Sequence, residues 1–283
     1  MSQQFSPGKF SMMPPVIKNL LIINGLFYLA TMALGSAYQI DLIEILGLHY
    51  VGASNFQPFQ FISYMFMHSS TNFSHILFNM FALWMFGNTL ENVWGSKKFL
   101  IYYLFTGIGA ALIYTGWIGF EIAPTVNAID AYLNNPNLES FASFTHSDHL
   151  QIISYEVQHN YNALAQSLNH LSASDQNLAV QKTVDFMTQY REDYLNGHTV
   201  VGASGAVYGI LLAFGMMFPN SIIYLYFAIP IKAKWFVIGF GLIELVSGIS
   251  NRAGDNVAHF AHLGGMIFGL ILILYWKKKG KLY

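Results

Sequence analysis

The chain has no cysteine, which excludes disulfides, thiolate catalysis and cysteine-ligated zinc or iron–sulfur centres. Charge is scarce as well. Asp, Glu, Lys and Arg supply 10% of the 283 residues and the formal net charge is −1. Such a balance, with no basic stripe outside loop positions, gives no electrostatic footprint for nucleic acid, which is excluded as a partner. The HExxH spacing by which one helix offers two imidazoles to a catalytic zinc is absent too. No metal and no other cofactor is expected.

What the chain has in abundance is apolar surface: 54% of residues are hydrophobic, with 24 Phe and 17 Tyr. About 20 apolar residues at 1.5 Å rise cross a hydrocarbon core of roughly 30 Å. Six segments qualify as spans, namely Ile17–Leu34, Ser74–Asn88, Phe99–Ile118, Ser204–Phe218, Trp235–Ile249 and Val257–Trp276. The apolar run Leu20–Ala37 has some features of a signal peptide, but its leading segment is long and further spans follow, so it is read as a retained first membrane helix. Several spans are short and carry polar residues, as expected of helices that line a protein-walled aqueous cavity.

The basic residues fall mostly on one side. Lys9, Lys18, Lys97, Lys98, Lys232, Lys234, Lys277, Lys278, Lys279 and Lys281 lie in alternate loops, against Lys182, Arg191 and Arg252 in the others. Loops rich in Lys and Arg stay in the cytoplasm, so both termini are expected there. The expected fold is all-α, a polytopic bundle of six membrane helices. Residues 1–120 hold spans one to three and 198–283 hold spans four to six, one catalytic membrane domain in total. Between them, 121–197 is expected to be an extracytoplasmic helical insert, since nine acidic residues there face only Lys182 and Arg191. Within it Leu150, Ile153, Val157, Tyr161, Leu164, Leu168 and Leu171 recur at helical spacing, and Val180, Val184, Met187, Tyr190 and Tyr194 repeat the pattern. A helical hairpin follows, with Ser174 as N-cap and Gly197 as stop, preceded by an Asn-rich loop over Asn127 to Asn137.

Three polar clusters interrupt the apolar pattern, each near the outer start of an even-numbered span. His75 and Asn79 share a helix face at i,i+4. Gly202, Ser204, Gly205, Tyr208 and Gly209 enter span four, and His262, Gly265 and Gly269 lie in span six. A serine at a helix N-terminus has free N–H groups and the helix dipole beside it. It becomes a nucleophile only with a base in reach. His262 is the candidate base, and Gly265 and Gly269 give the small-residue pattern that lets two helices approach closely. Tyr208, four residues after Ser204, can pack its ring on the imidazole. His75 and Asn79 fit as oxyanion donors. No carboxylate accompanies the histidine in these motifs, so a Ser–His dyad is expected.

Taken in order, HxxxN, GxSGxxxG and AHxxGxxxG resemble the rhomboid intramembrane serine proteases. The stretches Met65 to His68, Glu91 to Ser96 and Phe218 to Asn220 are similar to that family as well. The resemblance covers nearly the whole chain and is to the bacterial type. It implies catalysis by Ser204 and His262, oxyanion stabilisation by His75 and Asn79, membrane-spanning proteins as substrates, no cofactor, and a place in the bacterial inner membrane. Two departures stand out: the loop Ala37–Phe73 lacks a Trp-Arg pair found in some bacterial members, and the insert is much longer than their outer loop.

Each residue also has a plainer reading. Small residues in a membrane helix more often pack than catalyse. His259 and His262 are conceivable as a metal pair, but without HExxH. His68 and His198 read as loop or cavity-rim residues, and His146, His149, His159 and His170 as surface residues with no ligand spacing. Glu244 and Glu91 read as structural, and Asp255 lacks the partner that an aspartyl protease needs. A catalytically silent relative and a small-solute transporter are the rival functions. Retention of Ser204 and His262 opposes the first, and the lack of an internal repeat opposes the second.

Overall fold

The computed structural model describes residues 11–171, 175–225, 228–250, 257–280 and 282; Lys9, Ser174, Arg252, Asp255 and Lys281 lie outside them. The chain divides into two compact units, one of residues 1–48, 58–114 and 200–283, the other of 49–57 and 115–199.

The first unit is a set of apolar helices. Among the described residues four helices are long and apolar enough to cross a membrane: α1 (Pro15–Tyr38), α6 (Ser96–Asn134), α11 (Ala233–Ser250) and α12 (His259–Lys278). On α1 the side chains of Ile22, Leu26 and Leu29 are exposed, and on α11 those of Ile238, Leu242 and Val246. An exposed apolar face along a whole helix is what lipid, not water, accommodates. The second apolar segment is an unbroken helical run made of α4 (Phe73–Ala82), a π-helical turn over Leu83–Gly87, and α5 (Asn88–Trp94). α10 (Ser204–Met217) spans only 14 residues, roughly 21 Å at 1.5 Å rise. It is apolar on every side and buries Ala206, Ile210 and Ala213, so it is the core around which its neighbours pack.

Packing here depends on glycine. A Cβ at Gly265 would collide with the Gly205 carbonyl, one at Gly209 would lie 3.0 Å from the Gly265 carbonyl, and one at Gly269 would lie 3.4 Å from Gly209 Cα. α10 and α12 therefore meet backbone to backbone. The start of α1 is held differently. Pro14 and Pro15 supply no donor, and the amides of Val16 and Ile17 donate to Glu91 at 2.9 and 2.8 Å. Glu91 is 2% exposed and also accepts from Ser96 Oγ at 2.6 Å. A carboxylate at a helix N-terminus satisfies orphan donors and the dipole together.

The loop after α1 carries α2 (Leu42–Leu46) and α3 (Gln60–Ser63). With no Trp-Arg pair it is fixed by Ser63 Oγ on the Leu46 carbonyl at 2.7 Å, and by fully buried Leu48, Met65 and Met67. Tyr64 ties it to the site: its hydroxyl donates to Gly107 at 2.7 Å and its carbonyl accepts from the Gly202 amide at 2.9 Å. After α10 a hairpin pairs β1 (Ile222–Leu225) with β2 (Ile229–Lys232).

The second unit is helical and built around aromatic side chains. α6 runs on without a loop at 121, so the expected linker over Asn127–Asn137 is corrected: it is helix as far as Asn134. The reason is visible in burial, since Ile118, Ile122, Thr125, Ile129 and Tyr132 keep the 3.6-residue period through the Asn-rich composition. α7 (Leu138–Thr145), capped by Asn137, joins the expected pair, α8 (Tyr155–His170) and α9 (Gln176–Asn196). α8 starts at its Ser154 cap, leaving Leu150 and Ile153 outside the helix. The buried face of α9 is Ala179, Thr183, Phe186, Met187, Tyr190 and Tyr194, turned one position from Val180 and Val184. Gly197 ends α9 as expected.

Candidate functional site

The site is assembled in the first unit, where α4, α10, α11 and α12 each contribute a polar side chain. Gly202 comes first. Its φ of 129° is a conformation L-residues rarely adopt, and a Cβ there would lie 2.9 Å from His75 Nε2 and 3.6 Å from Ser204 Oγ. Only glycine lets the chain turn this closely past the imidazole. Ser204 then opens α10, so the amides of the first turn have no partner within the helix.

Ser204 Oγ and His262 Nε2 are 2.9 Å apart. The Tyr208 ring stacks on the His262 ring with centroids 4.3 Å apart and planes within 8°. His262 is 8% exposed, held between Tyr208 and the α10 crossing made by Gly205 and Gly265. A carboxylate occupies the other side of the imidazole. Glu244 Oε2 is 2.9 Å from His262 Nδ1 and 2.6 Å from His259 Nδ1, while Glu244 Oε1 accepts from the Tyr208 hydroxyl. The motif-based expectation of a histidine without a carboxylate therefore differs from what α11 supplies. Glu244, His259 and His262 also form a set of possible metal ligands, with donor atoms within 4.8 Å of one another. Their carboxylate–imidazole separations are those of hydrogen bonds; two ligands on one zinc, each about 2.0–2.2 Å from it, would stand farther apart.

On α4, Asn72 caps the helix through Ser74 N at 3.1 Å, and His75 and Asn79 follow on one face. His75 Nδ1 accepts a long bond, 3.4 Å, from the Ser69 amide. An accepting Nδ1 leaves the ring proton on Nε2, the nitrogen beside Gly202. Asn79 donates one amide hydrogen to the His75 carbonyl at 2.8 Å, which fixes its rotamer and leaves the second hydrogen for another acceptor. The structure thus gathers Ser204, His262, Tyr208, Gly202, Gly205, Gly265, Gly269, His75 and Asn79 in one unit.

Of the remaining histidines, His68 lies beside the site. His68 is completely buried with its ring 5.2 Å from that of His75; burial and then His75 lower its pKa to about 4, so it is neutral. His198 packs edge-on against Tyr194 at 5.0 Å, and burial lowers its pKa. His146, His159 and His170 are exposed, and His149 is half-buried with its ring stacked on Phe144. Sequence reasoning missed Tyr64 and the contacts of Glu244. A lone acid in an apolar helix was the available signal.

Helices of this length and apolarity define an integral membrane protein, with a serine and a histidine in hydrogen-bond contact among them. The Rhomboid domain matches residues 55–122 and 177–279, and the chain belongs to the rhomboid family. The match leaves 123–176 outside it. Among curated proteins, the chain is 24% identical over 217 residues to an uncharacterized mitochondrial rhomboid protein of Schizosaccharomyces pombe, covering 75% of this chain and 50% of that one. It is 30% identical over 92 residues to the chloroplastic rhomboid-like protein 11 of Arabidopsis thaliana, covering 32% of each. The chain thus spans half the length of the first relative and about a third of the second.

Proposed function

We propose that this chain is a serine endopeptidase that cuts transmembrane proteins within or beside the bilayer. The observation that carries the reading is the 2.9 Å contact between Ser204 Oγ and His262 Nε2 at the start of α10. In this reading Ser204 Oγ attacks the scissile carbonyl while His262 Nε2 takes its proton, then returns it to the leaving amine. Oxyanion charge forms beside the free amides of the α10 first turn, His75 Nε2–H and the second Asn79 amide hydrogen. Water then hydrolyses the acyl-enzyme, with His262 again the base. Its partners are substrate helices and the lipid bilayer.

The helices form six spans in this proposal, with both termini cytoplasmic because the lysines cluster in alternate loops. The site opens toward the outer face of a bacterial cell membrane, the location implied by the motif resemblance, although the two curated relatives carry organellar names. The insert at 121–197 governs substrate access without supplying chemistry; Tyr132, Phe141, Phe144, Phe186 and Tyr190 are buried in its own aromatic core. The test is a serine-directed fluorophosphonate on the purified full chain, beside a panel of membrane-helix substrates with products mapped by mass. Wild type should be labelled at Ser204 and cut at least one substrate, while Ser204→Ala should do neither. Cleavage by Ser204→Ala at the wild-type rate overturns the assignment.

A further inference from the structure

We propose that Glu244 is a positioning residue that makes the Ser204–His262 pair a three-member catalytic group; the inference rests on the protease reading above. Glu244 is the one acid in α11 and is 6% exposed. A buried carboxylate in an apolar helix is costly unless its oxygens are bonded. Here Oε1 accepts from Tyr208, and Oε2 stands 2.6 Å from Nδ1 of His259 and 2.9 Å from Nδ1 of His262. An ionised carboxylate only accepts, so each facing Nδ1 carries a proton.

The consequence falls on the other nitrogen of His262. With its proton on Nδ1, the neutral ring presents a lone pair at Nε2, which faces Ser204 Oγ at 2.9 Å. That is the tautomer a general base requires. Tyr208 fixes the same ring twice, by stacking on it and by donating to Glu244. When Nε2 takes the serine proton, the imidazolium stands 2.9 Å from a carboxylate, so the new charge forms where an opposite charge already waits. Glu244 itself gains no proton in the step. His259 serves the carboxylate and not the serine: its Nδ1 saturates the oxygen it shares with His262, so that oxygen cannot turn away to find another donor.

The experiment compares wild type, Glu244→Gln and Glu244→Asp as full chains in detergent, reading kcat, KM, melting temperature and the 15N signals of labelled imidazoles. A His262→Ala sample assigns the His262 signals. A glutamine can donate to Nδ1 and so favours the proton on Nε2, the wrong tautomer. In a soluble serine protease the corresponding change lowers kcat about 10⁴-fold, and here Glu244→Gln should lower kcat about 10²–10⁴-fold on the same grounds. KM and melting temperature should stay near wild type, and Glu244→Asp should recover part of the rate. Wild-type His262 should carry its proton on Nδ1. A wild-type kcat for a folded Glu244→Gln overturns the proposal, and so does a wild-type His262 protonated on Nε2 alone. If Glu244→Gln does not fold, the wild-type spectrum decides. Failure of the protease reading looks different: wild type would neither label at Ser204 nor cut any substrate, whatever the state of His262.

Discussion

Where α10 crosses α12 the contacts are made by Gly205, Gly209, Gly265 and Gly269, whereas the helices of the second unit meet through Tyr132, Phe141, Phe144, Phe186 and Tyr190. The Phe186 and Tyr190 rings stack at 5.9 Å within 9°, and Phe141 meets Phe186 edge-on at 6.2 Å. We ascribe the difference to the surroundings proposed for each unit, lipid for the first and water for the second. Aromatic side chains drive association when water is what they leave, at about 25 cal/mol per Å². Lipid gives no such drive between helices, so close backbone contact through small residues takes its place. At this crossing the first unit depends on side chains it does not have, while the second unit depends on what its rings bury.

Substitutions can break this comparison, the most damaging first. Gly265→Leu forces a side chain into the Gly205 carbonyl, which should separate α10 from α12 and pull His262 from Ser204. Overpacking costs about 1–3 kcal/mol in an ordinary core and occasionally more. Here we expect loss of fluorophosphonate labelling and a clear fall in melting temperature; a labelled, stable Gly265→Leu would show that the crossing is soft. His75→Ala and Asn79→Ala should each lower turnover about 10²–10³-fold, the measured scale for one oxyanion donor elsewhere, with little change in melting temperature. Unchanged turnover in both removes them from that role.

Replacing Asn127–Tyr194 by a Gly/Ser linker tests the other side. Labelling of Ser204 should survive while the set of substrates cut changes. If the shortened chain folds but no longer labels, the insert helps build the site. The smallest effect is expected of Tyr190→Phe. The Tyr190 hydroxyl accepts from the Gln151 amide at 2.8 Å and donates to the His149 carbonyl at 3.0 Å, and losing it should cost about 1–2 kcal/mol in the second unit. Burial is the main cause that pushes this hydroxyl up to about 12 from an ordinary 10.0. Its folded pKa is raised, so its contribution is full below pH 10 and is lost as pH rises toward 12. Tyr190→Phe should therefore lose less stability across that interval, measured by near-ultraviolet circular dichroism of the full chain; equal losses would show that other tyrosines dominate.

Local spacing explains what could be read before any coordinates. His75 and Asn79 sit at i,i+4, and Ser204 and Tyr208 likewise, so helical geometry alone puts each pair on one face. Gly265 and Gly269 announced a close crossing for the same reason. Glu244 was different, because its partners Tyr208, His259 and His262 lie on two other helices and no spacing rule links them. It looked like an isolated acid. Tyr64 was hidden in the same way, since its hydroxyl and carbonyl reach Gly107 and Gly202, far off in sequence. Asn127 to Asn134 misled through composition: asparagines suggest a loop, yet Ile129 and Tyr132 keep the buried period.

Gly202 makes the site sensitive to handedness. An L-alanine there meets two obstacles together, a φ of 129° and a Cβ only 2.9 Å from His75 Nε2. A D-alanine relieves the first: the same φ mirrors an ordinary extended value for its chirality, and its methyl would take the place of the glycine's other hydrogen. At this one position the backbone is built for the mirror-image amino acid, and among the genetically encoded residues only the achiral one satisfies it.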